Sequence, residues 1–297
     1  MGAPNMPSRT VEPRNKLLRP ATWRRLITLR PDYLMACAIM KNEERWIAEW
    51  IAFHRVVGFD RFVLYDNGSD DRTLDIVRSL PQQDKIRIVH WPFRPGQLSA
   101  YQHAIENFSH SAEWIAFIDI DEFCVPVGAP DVRAVLKRYE KYGSLLLHWV
   151  MFGSAGRVDT APDLCIEMFT QRAPLDFFAN RHVKTIAQSR RLKQVGPDLH
   201  IFSVDGVMAT EDYREYQTLS GGFLEAEPVA NILRLHHYFV KSREHWREKV
   251  SRRRADNDQM RDIEEFDTYD RNDIVDLEAA RFAPQVRKYL GMSERTP

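Results

Sequence analysis

The sequence predicts an α/β fold, a doubly wound, mostly parallel central sheet flanked by helices. Three observations lead there. Short continuous apolar runs recur near residues 34–40, 61–65, 86–91 and 113–121, as strands buried on both faces do. Segments with apolar residues at helical spacing separate them. Strand and helix alternate through four strands within about 90 residues, which implies right-handed crossovers and a parallel sheet.

Residues 34–40 (LMACAIM) form the first predicted strand. Asn42 suits a helix cap, and Glu43 and Glu44 suit a first turn. Trp46, Trp50, Phe53 and Val57 then recur at helical spacing until Gly58. Strand two covers 61–65 and ends in the tight turn Asp66-Asn67-Gly68-Ser69-Asp70-Asp71, which caps a helix over 72–80. Strand three at 86–91, a helix at 97–108 and strand four at 113–121 follow. After Pro130 the order loosens. A helix is predicted at 131–142, strands at 144–150 and 182–187, and an aromatic, glycine-containing loop at 151–156. Residues 190–230 read as irregular, with a hairpin around Asp205-Gly206. A strand at 231–240, a charged helix at 241–255, an acidic loop at 257–272 and a last amphipathic helix at 273–290 complete the chain.

Composition narrows the function. The 297 residues are 44% hydrophobic, enough for a substantial core. With 42 basic and 42 acidic residues the net charge is zero, unlike a general nucleic-acid binder. Cys37, Cys124 and Cys165 are too few and too scattered for a disulfide framework or a zinc site, which points to a reducing compartment. No apolar stretch nears the roughly 18 residues of a membrane span. The start lacks the apolar core of a signal peptide. A cytoplasmic location is expected. Residues 1–32 form a basic extension carrying seven basic and two acidic residues. Its segment RPATWRRLITLR can lie on an anionic membrane or stay a loosely packed tail. Neither GxGxxG nor a Gly-rich phosphate loop follows the first strand.

The chemistry concentrates at residues 115–124 (IAFIDIDEFC). If strand four continues through them, Asp119 and Asp121 share one face. Two carboxylates at a strand end repel unless a divalent cation lies between them or links them to a ligand. The plain alternative is an Asx-type turn with solvated acids. Asn42-Glu43, Asp66 and the Asp119/Asp121 pair all end strands, so they converge on the edge where open α/β sheets bind ligands.

Taken together, KNEERWIAEWIAFHRVVGFDRFVLYDNGSDD, FIDIDEF and LHHYFVKSREHW resemble GT-A glycosyltransferases, above all the family-2 and family-92-like branch. The resemblance spans residues 33–255, implying a glycosyltransferase domain over 33–256 and a helical extension over 257–297. It implies transfer of a sugar from a nucleotide-sugar, a UDP-sugar, to a carbohydrate acceptor in cell-surface polysaccharide or glycoconjugate synthesis, with inversion and with Mn²⁺ or Mg²⁺. By similarity, Asp66 holds uracil or ribose, and Asn42 and Glu43 line the nucleotide pocket. Asp121 is the closer metal ligand, with Asp119 on ribose, metal or metal-bound water and His237 as a third ligand. A cation and basic groups stabilise the diphosphate as it leaves. Lys184, Lys241 and Arg243 are candidates for that, while His236 and most of the 241–254 charges read as packing and solvated surface. An inverting transfer needs a general base; besides Asp121, the candidates are Glu122, Glu211 and Asp212. Trp149, Phe152 and Gly153 fall where this branch carries an acceptor-side loop. Many family-2 members have DDGS where this chain has Asp66-Asn67-Gly68-Ser69. The QxxRW segment of processive synthases is absent. Two rivals remain, a sugar nucleotidyltransferase and a non-catalytic nucleotide-sugar-binding or membrane-attached scaffold.

Overall fold

A computed structural model describes residues 32–293. The basic extension, with its membrane reading, lies outside the described residues apart from Asp32.

The first half follows the predicted alternation. In order come β1 (Asp32–Met40), α1 (Ile47–Val56), β2 (Arg61–Asp66), α2 (Thr73–Ser79), β3 (Ile86–His90), α3 (Gln97–Phe108) and β4 (Ala112–Phe117). Then come β5 (Glu122–Pro126), α4 (Val132–Leu136), β6 (Ser144–Met151), α5 (Cys165–Met168), β7 (Gln171–Arg172) and β8 (Val183–Gln188). The chain continues through β9 (Leu192–Val195), β10 (Phe202–Val204), β11 (Met208–Thr210), β12 (Glu215–Tyr216) and β13 (Leu233–His237). It closes with α6 (Arg243–Val250), α7 (Glu265–Tyr269), β14 (Ile274–Val275) and α8 (Ala283–Leu290).

Ten strands form one sheet. Its main path runs β12-β11-β6-β8-β4-β1-β2-β3, with β13 joining β6 to β5. Parallel pairing joins β3-β2-β1-β4, while β8 runs against both β4 and β6. The sheet is therefore mostly parallel. Alternation along β1 shows why it is doubly wound. Leu34, Ala36, Ala38 and Met40 face one core with Trp50 and Phe53 of α1 and Val286 of α8. Met35, Cys37 and Ile39 face the other core with Tyr101 and Ala104 of α3. The chain order reverses between β1 and β4, and that switch point opens a crevice at the strands' carboxyl ends.

Several boundaries move. Strand four stops at Phe117, and 118–121 form a turn into β5, which pairs antiparallel with β13. Trp50 of α1 causes the break, because its indole N–H donates to the carbonyls of Asp119 (3.0 Å) and Glu122 (2.9 Å). Asn42 is no helix cap. It is left-handed at φ 54°, and α1 starts at Ile47. The expected hairpin at 205–206 is absent: β10 pairs with β9, and β11 with β6 and β12. The helix expected at 273–290 shrinks to α8, since Pro284 fits only a first helical turn. The C-terminal stretch joins the main core, where the Phe282 ring meets Phe53 at 5.7 Å.

One buried acid ties this fold to pH. Glu49 of α1 accepts the backbone N–H groups of Cys165 (2.6 Å) and Ile166 (3.0 Å), so it caps α5. Burial pushes its carboxyl up to about 7, although those two bonds favour the charged form. A raised carboxyl makes the folded state bind more protons than the unfolded chain, so stability falls as pH rises from the ordinary carboxylate range through 7. Relative to Glu49→Gln, the native protein is expected to lose on the order of 3 kcal/mol between pH 4 and pH 8. Urea midpoints of both proteins across that range check this, and parallel curves would refute it.

Candidate active site at the switch point

The crevice holds a cavity of about 660 Å³. Asn42 and Glu43 after β1, Asn67 after β2, Asp119 to Asp121 after β4, Trp149 of β6 and Lys184 of β8 border it. His237 of β13 and residues 241–261 close it. Nine Lys and Arg against five Asp and Glu line the walls, which favours an anionic ligand.

Both aspartates of the Asp-X-Asp stretch reach this cavity, though from a turn rather than a strand. Asp119 accepts three hydrogen bonds. Its Oδ2 accepts from Lys184 Nζ at 2.7 Å, and its Oδ1 from Gln97 (2.9 Å) and the Tyr101 hydroxyl (3.4 Å). Burial works against its charge, but Lys184 outweighs burial and holds the carboxyl below the ordinary range. Glu122 lies behind it. Its oxygens accept the Asp119 N–H (2.8 Å) and the Trp149 indole N–H (2.7 Å), and Lys184 is 3.6 Å away. Burial lifts its carboxyl to about 8 despite Lys184. One ammonium thus faces two carboxylates: Asp119 keeps the charge and Glu122 the proton.

Asp121 has a different cation. Lys249 Nζ of α6 donates to its Oδ2 at 2.6 Å and to the Phe239 carbonyl at 2.7 Å. Its Oδ1 faces His237 Nε2 at 3.6 Å. Burial opposes ionisation here too, but Lys249 and then His237 hold the carboxyl well below the ordinary range. Lys249 itself is lowered to about 8 by burial, against the pull of Asp121.

Among the described residues no three His, Cys, Asp or Glu side chains converge as a metal cluster. Two donors do fit one ion. Asp121 Oδ1 and His237 Nε2 stand near the roughly 3 Å spacing of adjacent octahedral ligands, and Mg²⁺-type sites commonly use one or two protein ligands with phosphate and water. Asp119, also expected as a ligand, accepts from Lys184, Gln97 and Tyr101 and borders the same cavity.

Other expected residues fall differently. Lys241 lines the cavity, left-handed at φ 51°, with its ammonium 4.8 Å from the Trp46 ring. Asp66 is 3% exposed, accepts the Ser69 N–H at 3.0 Å and does not reach the cavity; neighbouring Asn67 does. Asp212 bonds Thr210 and Arg214 away from the cavity, so it is no base for this site. Glu211 caps the start of β13 through the N–H groups of Ile232 and Leu233. Arg243 pairs with Asp267 and Phe266 instead of the cavity. Phe152 is fully buried, and a Cβ on Gly153 would strike the Arg271 carbonyl, so this loop packs inward.

Sequence reasoning missed the basic wall. His245 and Lys249 stand at i and i+4 on one face of α6, Arg252 follows just past its end at i+7, and all three border the cavity. Arg252 donates to the Asn42 carbonyl (2.8 Å) and to Glu43 (3.1 Å), binding this wall to the first strand's turn. The Trp46 indole, which can only donate, reaches His245 Nδ1 at 3.3 Å. Nδ1 is therefore the acceptor and Nε2 carries the hydrogen on this wall.

The sequence profile of glycosyltransferase family 92 matches residues 32–189, more than half of the chain. A glycosyltransferase family 92 protein of Oryza sativa subsp. japonica is 30% identical over 139 residues, 46% of this chain and 23% of that protein. One from Ricinus communis is 31% identical over 96 residues, 32% of this chain and 17% of that protein. The matched stretch thus spans less than a quarter of these relatives. Among solved structures, S. aureus TarS 1–349 in complex with UDP is similar at a TM-score of 0.36 and 17% identity, over 53% of this chain and 47% of that chain. Glucosyl-3-phosphoglycerate synthase from Mycobacterium tuberculosis is similar at 0.29 and 18%, over 40% and 44%. By the profile that covers its first four strands and their acidic turns, this chain belongs to glycosyltransferase family 92.

Proposed function

We propose that this chain is a metal-dependent glycosyltransferase that moves a sugar from a UDP-sugar to a carbohydrate acceptor of the cell-surface polysaccharide or glycoconjugate kind. One observation carries the reading: an ionised, nearly buried carboxylate beside a histidine faces a basic wall across a cavity at the sheet's switch point. Asp121 and His237 would hold Mn²⁺ or Mg²⁺, which supplies positive charge at the leaving diphosphate when bound. Lys249, Arg252, Lys241 and the His245 Nε2–H add fixed donors to the same oxygens, placed before the reaction starts. Asn42, Glu43 and Asn67 border the nucleotide end. Asp119 keeps Lys184 and the turn in place. An inverting course needs a carboxylate that can reach an acceptor hydroxyl. Glu122 and Asp212 do not border the cavity, whereas Asp256 and Asp258 do, so we assign the base to this pair.

The test is a thermal shift with UDP, GDP, CDP and ADP, each with and without Mn²⁺. UDP with metal is expected to raise the melting temperature, by about 2.7 kcal/mol of stabilisation at a hundredfold excess over Kd. No shift with any nucleotide would leave the chain a scaffold and sink the proposal.

A further inference from the structure

His200 lies in the loop between β9 and β10 and borders the same cavity beside Lys184, Trp149 and Leu199. Its ring is held on several sides. Nδ1 lies 2.8 Å from the Val183 carbonyl, and the ring meets Trp149 edge-on at 5.3 Å. Its backbone N–H donates to Asp198 and its carbonyl accepts from Thr185. A carbonyl can only accept, so Nδ1 carries the hydrogen and Nε2 presents a bare lone pair. Burial, helped by Lys184, pushes this imidazole down to about 4, so it stays neutral in ordinary buffer.

His245 is locked the opposite way, with its N–H on the basic wall. The two histidines therefore sort ligand chemistry across one cavity. A lone pair repels phosphate oxygen and accepts from O–H, while an N–H donates to phosphate oxygen. We propose that His200 Nε2 accepts a hydrogen bond from a sugar hydroxyl, holding a hexose ring against Trp149 and Leu199, with the diphosphate on the Lys249 side. The assignment rests on the glycosyltransferase reading, and the hexose belongs to either the donor or the acceptor.

Titration calorimetry of the full chain with Mn²⁺ decides it. The ligands are UDP, UDP-glucose, UDP-galactose and the methyl β-glycosides of glucose and galactose, the glycosides with and without UDP. His200→Ala is expected to bind UDP within twofold of the native protein. It should lose about five- to tenfold for one hexose ligand class, the size of one neutral hydrogen bond. Loss on the UDP-hexoses identifies the donor sugar, and loss on the glycosides identifies the acceptor. His200→Gln, whose amide oxygen replaces the lone pair, should recover most of the loss and guards against a folding defect. Native-like hexose binding by both variants, or an equal loss for UDP alone, overturns the proposal. If the native protein binds glycosides but no nucleotide, the glycosyltransferase reading fails and the glycoside arm still tests His200. If it binds none of these ligands, both readings fall.

Discussion

Asp121→Asn is expected to abolish metal-dependent UDP binding and to lower transfer at least about 100-fold while the fold persists. The substitution keeps shape and removes charge, and two losses follow from that. The ion loses its anionic ligand opposite His237. Lys249 also loses the counter-charge that supports its ionisation. Already lowered to about 8 by burial, its ammonium then falls further and stops serving as a cation at neutral pH. Neutralising one carboxylate thus removes two cations from the diphosphate side. Calorimetry with UDP and Mn²⁺ reads the effect, and circular dichroism verifies the fold. Native affinity in the presence of Mn²⁺ would refute the metal assignment.

Lys184→Met should destabilise the protein by about 2–3 kcal/mol, the cost of taking a charged donor away from a partly buried carboxylate. Lys184 is 1% exposed, and its ammonium is the cation shared by Asp119 and Glu122. Methionine fills the space but leaves Asp119 ionised beside a buried Glu122. For a domain stable by about 5–15 kcal/mol, that is a large part of the total. Adding Asp119→Asn removes the stranded charge, so the double variant should be more stable than Lys184→Met alone. Urea unfolding of the four proteins of this cycle gives the coupling directly. Additive losses would mean that the lysine and the aspartate act independently.

The parallel half of the fold was legible because β1, β2 and β4 are apolar on both faces, and few structures besides a buried parallel strand use such runs. The end of β4 was not. Ile118 and Ile120 are both buried, so apolar alternation continues past the real boundary; what stops the strand is the distant Trp50 indole. Asp119 and Asp121 stood out as candidates by their spacing, and both border the cavity. Their counter-ions were harder to see. Lys249 and Arg252 sit among so many charges that a solvated helix was the natural reading, although their i, i+3 relation and that of Trp246 to Lys249 mark a buried face. Glu122 and Asp212 show the converse. Being acidic and close in sequence to something catalytic does not say whether a carboxylate faces the cavity, the core or solvent.

The cavity's two walls come from distant parts of the chain. Asn42, Asp119 and Asp121 lie within the family-matched residues 32–189, and His237, Lys249 and Arg252 lie beyond them. Arg252 stitches the second part to the Asn42 turn, and the Ala255 carbonyl accepts the first N–H groups of α3, from Gly96 (2.9 Å) and Gln97 (3.2 Å). A chimera that grafts residues 32–189 of this protein onto a foreign C-terminal half would therefore inherit Asp121 without Lys249 or His237, and a helix without its cap. The two halves can be exchanged between relatives only as a set, which makes the pair, and not the Asp-X-Asp segment, the smallest portable unit of this site.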